Sequence, residues 1–159
     1  MQSYGFYHNP EPRYAFVKLN GVVAWASSMY GTFPNHRGVS GVLVDPFNCS
    51  VLESHTFDTY NPGRDDATEL ADHLQQVNDG GIMVAATADD PALNLAEAIV
   101  TLQQLGADVS DVQFRGAFAF VAQKGFPAKT VLRKVLTQDE SKTTQPHVHV
   151  AITGILLSK

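Results

Sequence analysis

Residues Ile82–Ala88, IMVAATA, are almost wholly apolar. A short apolar run with no polar alternation suits a strand buried on both faces. Such a strand needs cover on two sides, which commits the chain to a layered sheet. The flanking segments supply cover. Residues 65–78 carry Ala67, Leu70, Ala71, Leu74 and Val77 at spacings of three and four, a single apolar helical stripe. Asp65 and Asp66 stand at its start, where capping and the helix dipole favour negative charge. Asp79-Gly80-Gly81 ends it. Beyond the apolar run, Asp89-Asp90-Pro91 opens a second helix, with Asp90 as N-cap and Pro91 in the first helical position. Leu93, Ala96, Val100 and Leu105 share its buried side, and Gly106 stops it.

The rest of the chain reads mainly as strands. Residues 13–19 and 22–26 flank Asn20-Gly21, a strong short hairpin signal. Residues 38–44 and 50–57 flank Asp45-Pro46-Phe47-Asn48 and form a second hairpin. In its second strand Val51, Glu53, His55 and Phe57 share one face. The two glycines of GVSGVLV mark a strand that another backbone approaches closely. Residues 117–121 and 147–157 read as further strands, with a short helix over 128–136 and a polar loop over 137–146. The polar and aromatic residues 1–12 read as an arm, and 13–159 as one domain. The sum is an α+β sandwich or layered sheet with two or three helices.

Composition narrows the function classes. The 159 residues are only 17% charged, below the ~25% of typical domains, which fits a surface partly covered by partners. The net charge is −5 and the basic residues are scattered singly, so nucleic acid is not an expected partner. No apolar run approaches the ~20 residues of a membrane span. The N-terminal segment has neither the basic nor the apolar part of a secretory signal. With a single cysteine, Cys49, no intrachain disulfide forms. Folding in a reducing cytoplasm is the expectation.

Catalytic signatures are few. Cys49 lies in or beside a tight turn, with no helix N-terminus placed at it by the local pattern, and reads as an ordinary thiol. The nucleophile elbow and the phosphate-binding glycine patterns do not occur. His147 and His149 share a strand face but lack a third ligand at a telling distance, so no metal and no cofactor is expected. Four charged residues stand out against apolar surroundings: Arg37 before a strand, Asp58 and Asp89 after strands, and Arg115 before AFAFV. Arginines at strand edges are most often ion-pair partners. Acids at the C-terminal end of a strand are where α/β folds often place ligand groups.

Taken in order, Arg37-Gly38, Val42-Leu43-Val44-Asp45, Phe57-Asp58-Thr59-Tyr60, Asp79-Gly80-Gly81-Ile82-Met83-Val84, Asp89-Asp90-Pro91-Ala92, Leu102–Gly106, Phe114-Arg115, Phe118–Val121 and Lys124-Gly125 resemble the interleukin-like EMT inducer (PANDER-like) family. The resemblance implies a β-β-α sandwich of two mainly antiparallel sheets with two or three flanking helices. It also implies a non-catalytic binding module rather than an enzyme. A related stem module of a glycosyltransferase binds an N-acetylglucosamine. The positions it uses correspond here to Arg37, Asp89 and Arg115, which would form either a sugar site or an ion cluster built into the fold. Gly116 and Phe118 replace the acid and the nearby tryptophan that the family often carries, which removes a stacking platform.

The combined expectation is a binding or assembly module of a bacteriophage virion, a tail or capsid accessory protein with a carbohydrate site. Its partners would be other virion or assembly proteins and a glycan, within an oligomer or larger complex. It would be made in the host cytoplasm and located in the virion. Two other readings stay open: a purely structural virion subunit with no ligand, and a cytoplasmic glycan-binding protein.

Overall fold

The computed structural model describes residues 2–5, 16–19, 21–26, 37–61, 63, 65–114, 116–126, 132–136 and 148–149. The strands are β1 (Gln2–Gly5), β2 (Phe16–Leu19), β3 (Val22–Ala26), β4 (Gly38–Val44), β5 (Val51–Phe57), β6 (Ile82–Asp89), β7 (Ala117–Gln123), β8 (Leu132–Leu136) and β9 (Val148–His149). Helix α1 spans Asp66–Gln76 and α2 spans Ala96–Gln104. The main sheet runs β5-β4-β6-β7-β8, every pair antiparallel. A second antiparallel group joins β3 to β2, β2 to β1, and β1 to β9.

Side chains alternate across the main sheet, as strand geometry requires. Val39, Phe57, Met83, Ala85, Phe118 and Phe120 face the helices and pack with Leu70, Leu74, Ala98 and Leu102. Val42, Val44, Ile82, Val84, Ala86 and Val121 face the other way, against Val17 and the partly buried Leu19, Ala24 and Trp25. The layers are therefore helices, main sheet and second sheet. The α+β sandwich read from the sequence is the architecture observed. The apolar run is its centre: residues 82–88 are buried throughout.

Three local expectations change. The arm assigned to residues 1–12 contains β1, which pairs in parallel with the end of β6 (Tyr4↔Ala88, Gly5↔Asp89) and antiparallel with β2 and β9. One edge of β6 is taken by β4 along residues 82–88, and β7 covers only 82–86 of the other. β1 completes that second edge. The helix assigned to 128–136 is instead strand β8 over its last residues, paired with β7 from Ala117↔Leu136 to Val121↔Leu132. Leu132, Val135 and Leu136 fit a helical spacing, but the open backbone of β7 takes them as a strand. Residues 128–131 lie outside the described set. Last, α2 begins at Ala96 rather than at Pro91, and residues 93–95 form a turn before it. The loop over 137–146 and most of the closing strand also lie outside the described residues.

Candidate functional site

Antiparallel pairing gathers the start of β4, the end of β6 and the start of β7 at one end of the main sheet. Gly38 pairs with Ala88. Arg37 and Asp89 each adjoin that last pair in the chain. Ala117 opens β7 at this end. Arg115, two residues earlier, is outside the described residues, and for Asp89 only the backbone is described. Arg37 is therefore the sequence-selected residue whose side chain the structure details.

Arg37 is held from two sides. Its Nε and Nη2 donate to the two carboxylate oxygens of Asp58, each at 2.8 Å. Its guanidinium carbon lies 4.3 Å from the centre of the Tyr60 ring. A fork-to-fork pair fixes the guanidinium plane, and the aromatic face adds cation–π attraction. Gly38 makes this contact possible. A Cβ there would stand 2.2 Å from the Phe57 carbonyl oxygen and 2.7 Å from the Thr59 nitrogen. Only a residue without a side chain lets the start of β4 press this close to the β5 exit.

The loop that carries Asp58 is clamped in turn. The Asp58 backbone N–H donates to Asp66 Oδ2 at 2.7 Å. The Thr59 hydroxyl donates to the Pro91 carbonyl at 2.8 Å. The Asn94 N–H donates to the Thr59 carbonyl at 2.9 Å, and Asn94 Nδ2 to the Tyr60 carbonyl at 3.0 Å. These bonds tie the β5 exit, the α1 start and the turn before α2 into one frame around Arg37.

Two acids differ from their expected roles. Asp66 is buried and braces Asp58, whereas the N-cap residue Asp65 makes no side-chain cap bond. Asp90 is only 1% exposed and caps a turn through Oδ1, which accepts from the Ala92 N–H at 2.9 Å. Its Oδ2 is buried with no hydrogen-bond partner among the described residues. An unmatched buried carboxylate oxygen is costly and stands out for that reason. Sequence reasoning gave Asp90 to a helix cap. A DDP run reads as a helix start, and only the position of α2 shows otherwise.

Asp58 had stood out in the sequence, but nothing local tied it to Arg37, 21 residues away. Tyr60 carried no signal beyond its place after the strand. Among the described residues, no group of three or more His, Cys, Asp or Glu side chains is placed to hold a metal. His147 lies outside them, and only the backbone of His149 is described. Cys49 occupies a left-handed conformation, φ 58°, in the β4–β5 turn. Its thiol is part of no disulfide.

Comparison with known proteins places this geometry in a family. The model of the interleukin-like EMT inducer family matches residues 37–126, more than half of the chain. The match begins at Arg37 and runs through both helices and β7. The human cell migration-inducing and hyaluronan-binding protein is 33% identical over 98 residues, covering 60% of this chain and 7% of that protein. Mouse protein FAM3A is 29% identical over 96 residues, covering 59% of this chain and 40% of its own length. The chain thus spans well under half of these relatives. With the family model matched over more than half of its length, the chain belongs to the interleukin-like EMT inducer family.

Proposed function

We propose that this protein is a non-catalytic binding module, and that it takes a carbohydrate through Arg37, Asp89 and Arg115. The observation that carries the reading is the Arg37 guanidinium, held by the bidentate Asp58 pair and the Tyr60 ring beside the Gly38–Ala88 end of the β4–β6 ladder. Sugar hydroxyls and an acetamido carbonyl want donors and acceptors at fixed positions. A guanidinium locked by a bidentate carboxylate and an aromatic ring meets that need with little ordering left to do on binding. Support also comes from a relative whose name states that it binds hyaluronan.

The test is calorimetric titration with β-linked N-acetylglucosamine glycans and hyaluronan oligosaccharides. Binding that vanishes in Arg37→Ala, with folding checked by thermal melting, supports the reading. Failure to bind any of these sugars at millimolar concentration overturns it. The virion setting, as a tail or capsid accessory protein, rests on the sequence alone: few charges and one cysteine. Mass spectrometry of purified particles tests it, and absence of the protein from them refutes it.

A further inference from the structure

β5 ends the main sheet, and among the described residues its strand partner is β4. Residues Val51–His55 are all exposed along it. Such an edge carries unpaired N–H and C=O groups and is a template for another strand. Its centre holds one acid and one imidazole, Glu53 and His55, on the same face with Ser54 between them.

We infer that β5 is where a second copy of this chain docks, strand to strand and antiparallel, about a two-fold axis at Ser54. Of the antiparallel registers, the one centred on Ser54 overlaps all seven residues of β5. It sets Val51 opposite Phe57, Leu52 opposite Thr56, and Glu53 of each copy opposite His55 of the other. Two-fold symmetry makes the charge match twice. A slip of one residue breaks both pairs and shifts the faces. Leu52, 57% exposed, and Phe47, 81% exposed in the adjoining turn, offer apolar area beside the strands.

Groups of both kinds surround this pair. Within one copy, His73 Nδ1 of α1 lies 3.9 Å from Glu53 Oε1. The His55 and His73 ring centres are 6.0 Å apart. α1 also carries exposed Glu69 and Asp72. β4 adds no charge here, since it places Gly41 beside His55 and Leu43 beside Glu53. Across the axis, an imidazole N–H of His55 donates to the Glu53 carboxylate of the other copy.

One strand edge is small beside the ~1,200 Å² of a standard interface, so the dimer is weak. Sedimentation equilibrium of the full chain at hundreds of micromolar reads it. Dimer is expected at that concentration. Glu53→Lys removes the acceptor from both matched pairs and raises the dissociation constant at least about tenfold. Adding His55→Glu to Glu53→Lys restores pairing. A monomer throughout overturns the inference and makes Glu53 and His55 the charges that keep this edge unpaired. A dimer indifferent to Glu53→Lys overturns it as well. Circular dichroism melts confirm that each variant is folded.

Discussion

Gly38 is the residue at which local conformation and the site meet. Its φ of +96° lies where L side chains rarely sit, and the space for a Cβ is already filled by the Phe57 carbonyl. Gly38→Ala is expected to cost about 3 kcal/mol or more, read by chemical denaturation, because strain and a backbone clash add. A value under about 1 kcal/mol would show that the β4–β5 junction gives way easily. Asp58→Asn tests the neighbouring contact. It keeps the backbone bond to Asp66 but strips the charge from a carboxylate that is 5% exposed against Arg37. A loss of about 1–3 kcal/mol is expected, with weaker binding of any ligand that relies on a fixed Arg37.

At the scale of elements, the connection from α2 to β7 is locked by Asp108. Its carboxylate accepts from the Ser110 hydroxyl and backbone N–H and from Gln103 Nε2. The Ser110 hydroxyl, then Gln103, then the Ser110 N–H hold its pKa down, from 3.8 to about 2. A carboxyl whose folded pKa is depressed stabilises the fold above its unfolded value. That contribution is present above about pH 4 and is lost as pH falls toward 2. Asp108→Asn is therefore expected to flatten the acid limb of a stability–pH curve between those values. An unchanged limb would show that these bonds do not outlast the folded loop's own fluctuations. The element β8 follows a different rule. Its residues suit a helix by spacing, yet the exposed ladder of β7 outweighs that preference. Tertiary hydrogen bonding here overrides local pattern.

For the whole molecule, the decisive layer is the main sheet with β6 at its centre. Phe118 and Phe120 are fully buried beneath the helices, their rings 6.2 Å apart and nearly parallel. Phe118→Ala or Phe120→Ala is expected to cost about 3–5 kcal/mol, seen as a fall in the denaturant midpoint. Deleting residues 1–12 removes β1 and bares the Ala88–Asp89 edge of β6. The shortened chain is expected to melt lower and lose solubility, whereas a detachable arm would leave the melting temperature unchanged.

Much of the fold was legible in the chain because its signals are local. The apolar run 82–88, the stripe of α1 and the Asn-Gly and Asp-Pro turns each report on neighbours within a few residues. Arg37 stood out for a similar reason, as a charge at the start of an apolar strand. The partners that give it a role did not: Asp58, Tyr60 and the frame through Asp66, Pro91 and Asn94 come from segments far apart in sequence. The sequence by itself determined the stripe of α1 and that the segments must layer around a twice-buried strand, but not the buried side of α2, where Ala98, Thr101 and Leu102 face the core while Leu93, Ala96 and Val100 are exposed. Only the tertiary structure decided that residues 2–5 complete the edge of β6, that residues 132–136 join β7, and that Asp66 and Asp90 brace loops. Those outcomes satisfy backbone and carboxylate groups across long separations, and the demand for each arises only once the other segments are in place.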